Sequence, residues 1–207
     1  MAVIDHLVYA VSDLDASIDW FELTTGVRPA IGGSHPNRGT RNALASFGDS
    51  YLEIIGPDPR QPEPESGRPF GVVLDMEPRL VTFAVRPGRG ETIESLAAAA
   101  AYSGSDPGDI VSMNRTPPGG DTLRWRLTLP PLTHDGVIPF LIDWGDTTHP
   151  ADTAPSGLRL ERLDGATADI ATVRSVLTAL ALDLPVTEGD SGLTATIATP
   201  QGDLVLT

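Results

Sequence analysis

Two side chains in this sequence are of a kind, and in a place, that invites chemistry. His6 stands in the middle of Ile4-Asp5-His6-Leu7-Val8-Tyr9-Ala10-Val11, and Glu53 in the middle of Tyr51-Leu52-Glu53-Ile54-Ile55. Both runs are rich in β-branched and apolar residues and predict strands. Side chains alternate along a strand, so His6 shares its face with Ile4, Val8 and Ala10, and Glu53 with Tyr51 and Ile55. An ionised carboxylate on so apolar a face is costly unless it is paired or ligated. A histidine and a glutamate brought together there can exchange a proton, ligate a divalent metal, or satisfy each other as a hydrogen-bonded pair. A glutamate on an edge strand turned to solvent is the remaining reading.

A second cluster lies at residues 32–42, Gly32-Gly33-Ser34-His35-Pro36-Asn37-Arg38-Gly39-Thr40-Arg41-Asn42, which reads as a glycine-rich loop. Glycines let backbone approach a ligand closely. His35 and Asn42 offer hydrogen bonds, and Arg38 and Arg41 can fork onto a carboxylate or phosphate. A flexible loop with solvated charges is the alternative. No helix is expected to start here, so nucleotide fingerprints do not apply. His149, followed by Pro150, comes after a predicted strand that ends in Asp143 and Trp144, and His134 precedes a turn where exposure is expected. No Ser-x-x-Lys, Gly-x-Ser-x-Gly or His-Glu-x-x-His pattern occurs, and there is no cysteine, which removes thiolate chemistry and disulfides.

These residues need elements to hold them. After the first strand, Ser12 is the expected N-cap of a helix, with Asp15 completing an acidic capping box. Leu14, Ile18 and Phe21 would form its apolar face, and Gly26 would stop it. A short strand over 27–31, a strand over 41–47 and its hairpin partner over 51–55 follow. The same order of strand, helix and further strands recurs over 80–144 and again, shortened, over 158–206. There Thr167 is the expected cap of a helix with Ile170, Val173, Val176, Leu177 and Leu180 on one face. Proline-containing polar segments at 56–69 and 147–157 read as linkers. The expected organisation is three βαβββ modules, at 1–64, 76–150 and 156–207. A module has a helix for only one face of its sheet, so its other face must be covered by a second module. The fold class is therefore α+β, with two modules forming a curved mixed sheet around a cleft and a third, shorter module added. That third copy has no obvious mate, which suggests a two-fold homodimer, with edge-on packing against the first two modules as the alternative.

With 207 residues and 40% hydrophobic content, the chain can bury a core without staples. A formal charge of −14 argues against nucleic acid and anionic membrane as partners. No basic, apolar leader is expected at the N-terminus, and no apolar run approaches the ~20 residues needed to cross a bilayer. A cytoplasmic protein acting on a small molecule is the expectation.

The His6 strand followed by Asp13-Leu14, the helix-ending Gly26, the Glu53 strand, the run 32–42 and the strand 139–144 with His149-Pro150 together resemble the vicinal oxygen chelate superfamily. That group includes glyoxalase I, extradiol dioxygenases and bleomycin-resistance proteins, and the resemblance is to its glyoxalase-like domain branch. It implies paired modules around one divalent ion, with ligands from the first and last strand of each module. His6 and Glu53 match that pattern. The second module departs from it, having Leu80 or Thr82 near the place of the histidine and only Asp143 near the place of the glutamate. The implied activity is that of a lyase, isomerase or dioxygenase using Zn, Mn, Fe, Ni or Co. Glu53 and His6 would be catalytic or metal-ligating, and His35, Arg41, Asn42 and His149 would bind substrate. A metal-free binding protein of resistance type is the alternative.

Overall fold

The structure is a computed structural model that describes residues 1–116, 120, 122–131 and 136–207. His134 lies outside the described residues. The first unit runs β1 (Val3–Ala10), α1 (Leu14–Thr25), β2 (Ala30–His35), β3 (Thr40–Ser46) and β4 (Tyr51–Pro57). The second runs β5 (Arg79–Arg86), α2 (Ile93–Tyr102), β6 (Ile110–Arg115), β7 (Leu123–Thr128) and β8 (Phe140–Asp143). The third runs β9 (Arg159–Thr167), α3 (Ile170–Ala179), β10 (Val186–Glu188), β11 (Gly192–Thr199) and β12 (Gly202–Leu206). The class is α+β, built from repeated βαβββ units.

Eight strands form one mixed sheet in the order β2-β3-β4-β1-β5-β8-β7-β6. The order of the first four is reversed in the second four, as a two-fold axis through the β1–β5 joint requires. Each unit pairs its first and last strands in parallel, and the joint is antiparallel. The axis passes between Leu7 and Phe83 and carries each residue pair of the joint onto another pair. Since β1 sets His6 opposite Ala84 and Val8 opposite Thr82, His6 corresponds to Thr82 and Val8 to Ala84. Val8 lies beside Glu53 and Ala84 beside Phe140, so Glu53 corresponds to Phe140.

The two faces of this sheet have different covers. Leu7, Leu52, Ile54, Phe83, Val85 and Leu141 point outward into one core shared with Ile18 and Phe21 of α1 and Leu96 of α2. Val8, Ala10, Tyr51, Ile55, Phe140, Ile142 and Trp144 line the inner face. The third unit forms its own sheet, β10-β9-β11-β12. Its Leu163, Leu193, Ala195, Ile197 and Leu206 join the outer core, with Val173, Val176 and Leu177 of α3. Backbone bonds from Ala2 N–H to the Leu180 carbonyl (3.1 Å) and from Leu80 N–H to the Thr207 carbonyl (2.9 Å) tie it down. The apolar face that prompted the expectation of a homodimer is thus covered inside one chain.

Some local expectations are corrected. α1 is capped by Asp13, whose carboxylate accepts from Ala16 N–H at 3.1 Å, and not by Ser12. α3 is capped by Asp169 and not by Thr167, which ends β9. Gly26 does close α1 in the left-handed conformation. Residues 32–42 are a hairpin and not a loop: β2 and β3 pair Gly33 with Asn42 and His35 with Thr40, around a turn at Pro36–Gly39. The glycines and polar residues of β2 hide a strand because the face they line is a polar site. Among the described residues no helix is long and apolar enough to cross a membrane.

Candidate functional site

A bulge begins the site. In the β1–β5 joint Ile4 pairs with Val85 and His6 with Ala84, which leaves Asp5 as the extra residue. A bulge breaks strand alternation and re-aims a side chain. Asp5 therefore reaches its neighbour, and its Oδ1 accepts from His6 Nδ1–H at 2.7 Å. Its Oδ2 accepts from His149 Nε2–H at 2.9 Å and Trp144 Nε1–H at 3.2 Å, with Arg86 at 3.5 Å. His149 Nδ1 accepts from Ala151 N–H at 3.3 Å, which assigns the ring proton to Nε2. Asp5 is fully buried. Burial alone would raise its carboxyl, but the hydrogen bonds from His149 and His6 outweigh it and hold the group well below the usual carboxylate range.

With Nδ1 given to Asp5, His6 presents Nε2 to the inner face, 3.5 Å from Glu53 Oε2. The ring is fixed by Tyr51, stacked at 4.6 Å between centroids, and by Phe140, edge-on at 5.5 Å. The other carboxylate oxygen of Glu53 accepts from Asn42 Nδ2–H at 2.5 Å. Asn42 also sets Nδ2 3.2 Å from His35 Nε2, while its Oδ1 accepts from Arg115 at 2.5 Å. His35 Nδ1 lies 3.0 Å from the Thr40 hydroxyl. Burial pulls His35 down to about 4, with Arg115 opposing its protonation further, so this ring is neutral near pH 7. Its Nε2 is then an acceptor for Asn42.

These groups form the polar end of a cleft on the inner face of the sheet. Arg38 from the β2–β3 turn and Arg115 from β6 border that end, and Tyr51, Phe70, Met113, Trp125, Phe140 and Trp144 make the apolar wall. Sequence reasoning placed His6, Glu53, His35 and Asn42 here, and the structure brings these four together. It does not bring Arg41: on β3 its neighbour Asn42 takes the inner face, and Arg41 instead binds Asp15 of α1 at 2.8 Å. His149 lies behind the cleft, on Asp5. Asp5, Arg115 and Trp144 were not singled out as site residues. Only the bulge reveals Asp5, and only the closing of the sheet, which carries β6 back to β2, reveals Arg115.

The donor set bears on the divalent metal that the resemblance implies. His6 Nε2 and Glu53 Oε2 converge as two ligands would. The corresponding places in the second unit hold Thr82 and Phe140. Thr82 donates its hydroxyl to the Gly136 carbonyl at 3.4 Å, and Phe140 packs on the His6 ring. Asp143 is engaged by Arg126 at 2.5 Å, outside the cleft. His35 Nε2 is 3.7 Å from Glu53 Oε1, but Asn42 lies against both atoms. Among the described residues no group of three or more histidine and acidic side chains is placed to hold an ion. Among the described residues, two such ligands on one side of the cleft fall short of the set that holds a resident divalent metal.

Two βαβββ units sharing one curved sheet around a polar-floored cleft define a class of protein, and sequence comparison agrees with it. A family profile described as a glyoxalase-like domain matches residues 4–181. The chain belongs to the glyoxalase-like domain family, within the vicinal oxygen chelate superfamily. No curated protein matches the sequence. Among solved structures, a hypothetical protein from Staphylococcus aureus shares the fold at 15% identity and a TM-score of 0.62, over 99% of this chain and 84% of that one. Methylmalonyl-CoA epimerase from Streptomyces coelicolor is similar at 18% identity and a TM-score of 0.43, over 71% of this chain and 97% of its own. The corresponding epimerase from Mycobacterium tuberculosis gives 18% and 0.41, over 67% and 84%.

Proposed function

We propose that this protein is an enzyme that moves a proton on a small carbonyl compound, the isomerase or lyase side of glyoxalase-like chemistry, with Glu53 as base and His6 as its partner. The observation that supports it is the unequal holding of the two carboxylate oxygens. Oε1 is tied to Asn42, while Oε2 faces His6 Nε2 and the cleft. A carbon acid bound against the aromatic wall would meet Oε2 and lose its proton there. Nε2 lies close enough to take that proton over and return it to a neighbouring atom. Asp5 keeps the ring in one orientation and one tautomer, because its buried carboxylate needs the Nδ1 proton. Having only two candidate ligands among the described residues favours this metal-independent transfer over the route through Zn, Mn, Fe, Ni or Co that the resemblance implies.

The test is solvent exchange. A panel of small carbonyl compounds is incubated in D2O with the protein and followed by proton NMR. Exchange next to the carbonyl of at least one compound, absent with Glu53→Gln, is the expected result. Exchange that persists with Glu53→Gln would overturn the assignment of the base. A panel that binds without exchange would favour the metal-free binding protein.

A further inference from the structure

We infer that Arg115 is an anion-recognition residue, and that the molecule bound in this cleft is a small organic acid whose carboxylate sits on Arg115 with Arg38 beside it. The inference builds on the proton-transfer reading of the same cleft and names the class of substrate.

Arg115 is 3% exposed and is the most deeply buried arginine among the described residues. No carboxylate lies within ion-pair distance of it there, whereas other arginines, such as Arg28, Arg68 and Arg126, are paired. Its Nη1 donates to the Asn42 amide oxygen, and its Nε donates to nothing. A guanidinium held out of water with a neutral amide as its partner and one N–H unsatisfied is costly. It is what a site looks like when the bound molecule supplies the missing charge. Arg38, also without an acidic partner among the described residues, borders the same end of the cleft.

The local charge agrees. The cleft is lined by two guanidiniums and one carboxylate, Glu53, in a chain whose formal charge is −14. Two guanidiniums at one end of the cleft of so acidic a protein select small anions over the rest of the surface. Beyond the guanidiniums the wall is aromatic, from Phe70, Trp125, Phe140 and Trp144, and would receive an apolar body.

The backbone is shaped to admit this side chain. A Cβ at Gly32 would fall 2.1 Å from Arg115 Nη1 and 2.3 Å from Asn42 Oδ1. Gly32 thus keeps a space on β2 that the guanidinium occupies as it crosses from β6. Arg115 and Glu53 both contact Asn42, which sets the anion subsite beside the base without a direct ion pair that would cancel the charge.

The test compares carboxylates with their neutral amides. Phenylacetate, 3-phenylpropionate and hexanoate are titrated against wild type by calorimetry and by the fluorescence of Trp125 and Trp144, alongside the matching amides. The expected result is that at least one acid binds at least ~10-fold more tightly than its amide, and that Arg115→Met removes this preference. Arg115→Lys should restore part of it, and Gly32→Ala, which displaces the guanidinium, should weaken it. Methionine keeps the apolar bulk, and a thermal melt shows whether each variant is folded. Failure of every acid to bind, equal binding of acids and amides, or a preference unchanged in folded Arg115→Met would each overturn the proposal. Glu53→Gln separates the two readings, because it should retain or tighten anion binding while abolishing exchange. Anion binding with exchange intact in Glu53→Gln would sink the base and leave the anion site standing.

Discussion

The first and second units share one sheet, one topology and one axis, yet their inner faces differ. Where the first has His6, the second has Thr82; where the first has Glu53, the second has Phe140. The first unit presents a histidine and a carboxylate on its strands, and the second presents rings that pack on them. The difference teaches that the fold needs only the outer core to be apolar in both units. The inner face is free to vary, and here one half supplies titratable groups and the other an apolar wall, with Arg115 as its single charged contribution to the cleft among the described residues.

The largest expected effect is at the reacting end. Glu53→Gln keeps the shape and the bond to Asn42 but removes the base, and should lower the exchange rate by about 10²- to 10⁴-fold. NMR exchange rates, with a thermal melt to show an intact fold, check this. A rate within a fewfold of wild type would mean that chemistry does not reside in the first unit.

A second effect is thermodynamic. His35 is depressed to about 4 in the folded chain from an ordinary value of 6.5. The unfolded chain therefore binds more protons between these values, and stability should rise with pH across that window and level off above it. The difference corresponds to about 3 kcal/mol. Asp5, depressed below the ordinary carboxylate value of 3.8, acts in a separate window. Its contribution is complete above that value and is lost as pH falls towards its folded value. Urea unfolding at a series of pH values should show the upper slope in wild type and its absence in His35→Gln. An identical slope in both proteins would remove the buried neutral histidine from the account.

These particulars also show what could be read from the chain alone. Alternation along β1 and β4 was enough to place His6 and Glu53 on one face, because a polar residue in an apolar row stands out. Asp5 was hidden by the same alternation, which assigns it to the opposite face until a bulge intervenes. Arg115 ends a strand in which Ser112 and Asn114 are also polar, and nothing nearby marks it. Its partner Asn42 is 73 positions away, and only closure of the sheet joins them. β2 was read as a loop because glycine is a poor strand former, although here it makes room for a guanidinium.

A third experiment tries to erase the difference between the halves. Thr82→His with Phe140→Glu places a second histidine and glutamate at the two-fold equivalents of His6 and Glu53. Wild type should carry no stoichiometric divalent metal by elemental analysis. The double variant should bind zinc and be stabilised by it, by about 2.7 kcal/mol at a hundredfold excess over Kd. Stoichiometric metal in wild type, lost in His6→Ala and Glu53→Ala, would show that two ligands suffice and would restore the chelation mechanism.

The smallest effect sharpens the comparison from the apolar side. Phe140 touches the His6 ring edge-on at 5.5 Å and Phe70 at a similar distance. Phe140→Leu removes part of that wall without adding charge. Cavity and transfer terms for such a change amount to about 1 kcal/mol. The loss should appear as a lower melting temperature and a weaker apparent substrate affinity, with the maximal exchange rate held within about tenfold. His6 would keep its orientation because Asp5 and Tyr51 hold the ring from other sides. If Phe140→Leu cut the maximal rate as deeply as Glu53→Gln, the second unit would be positioning the reacting groups, and the division between a reactive half and a packing half would fail.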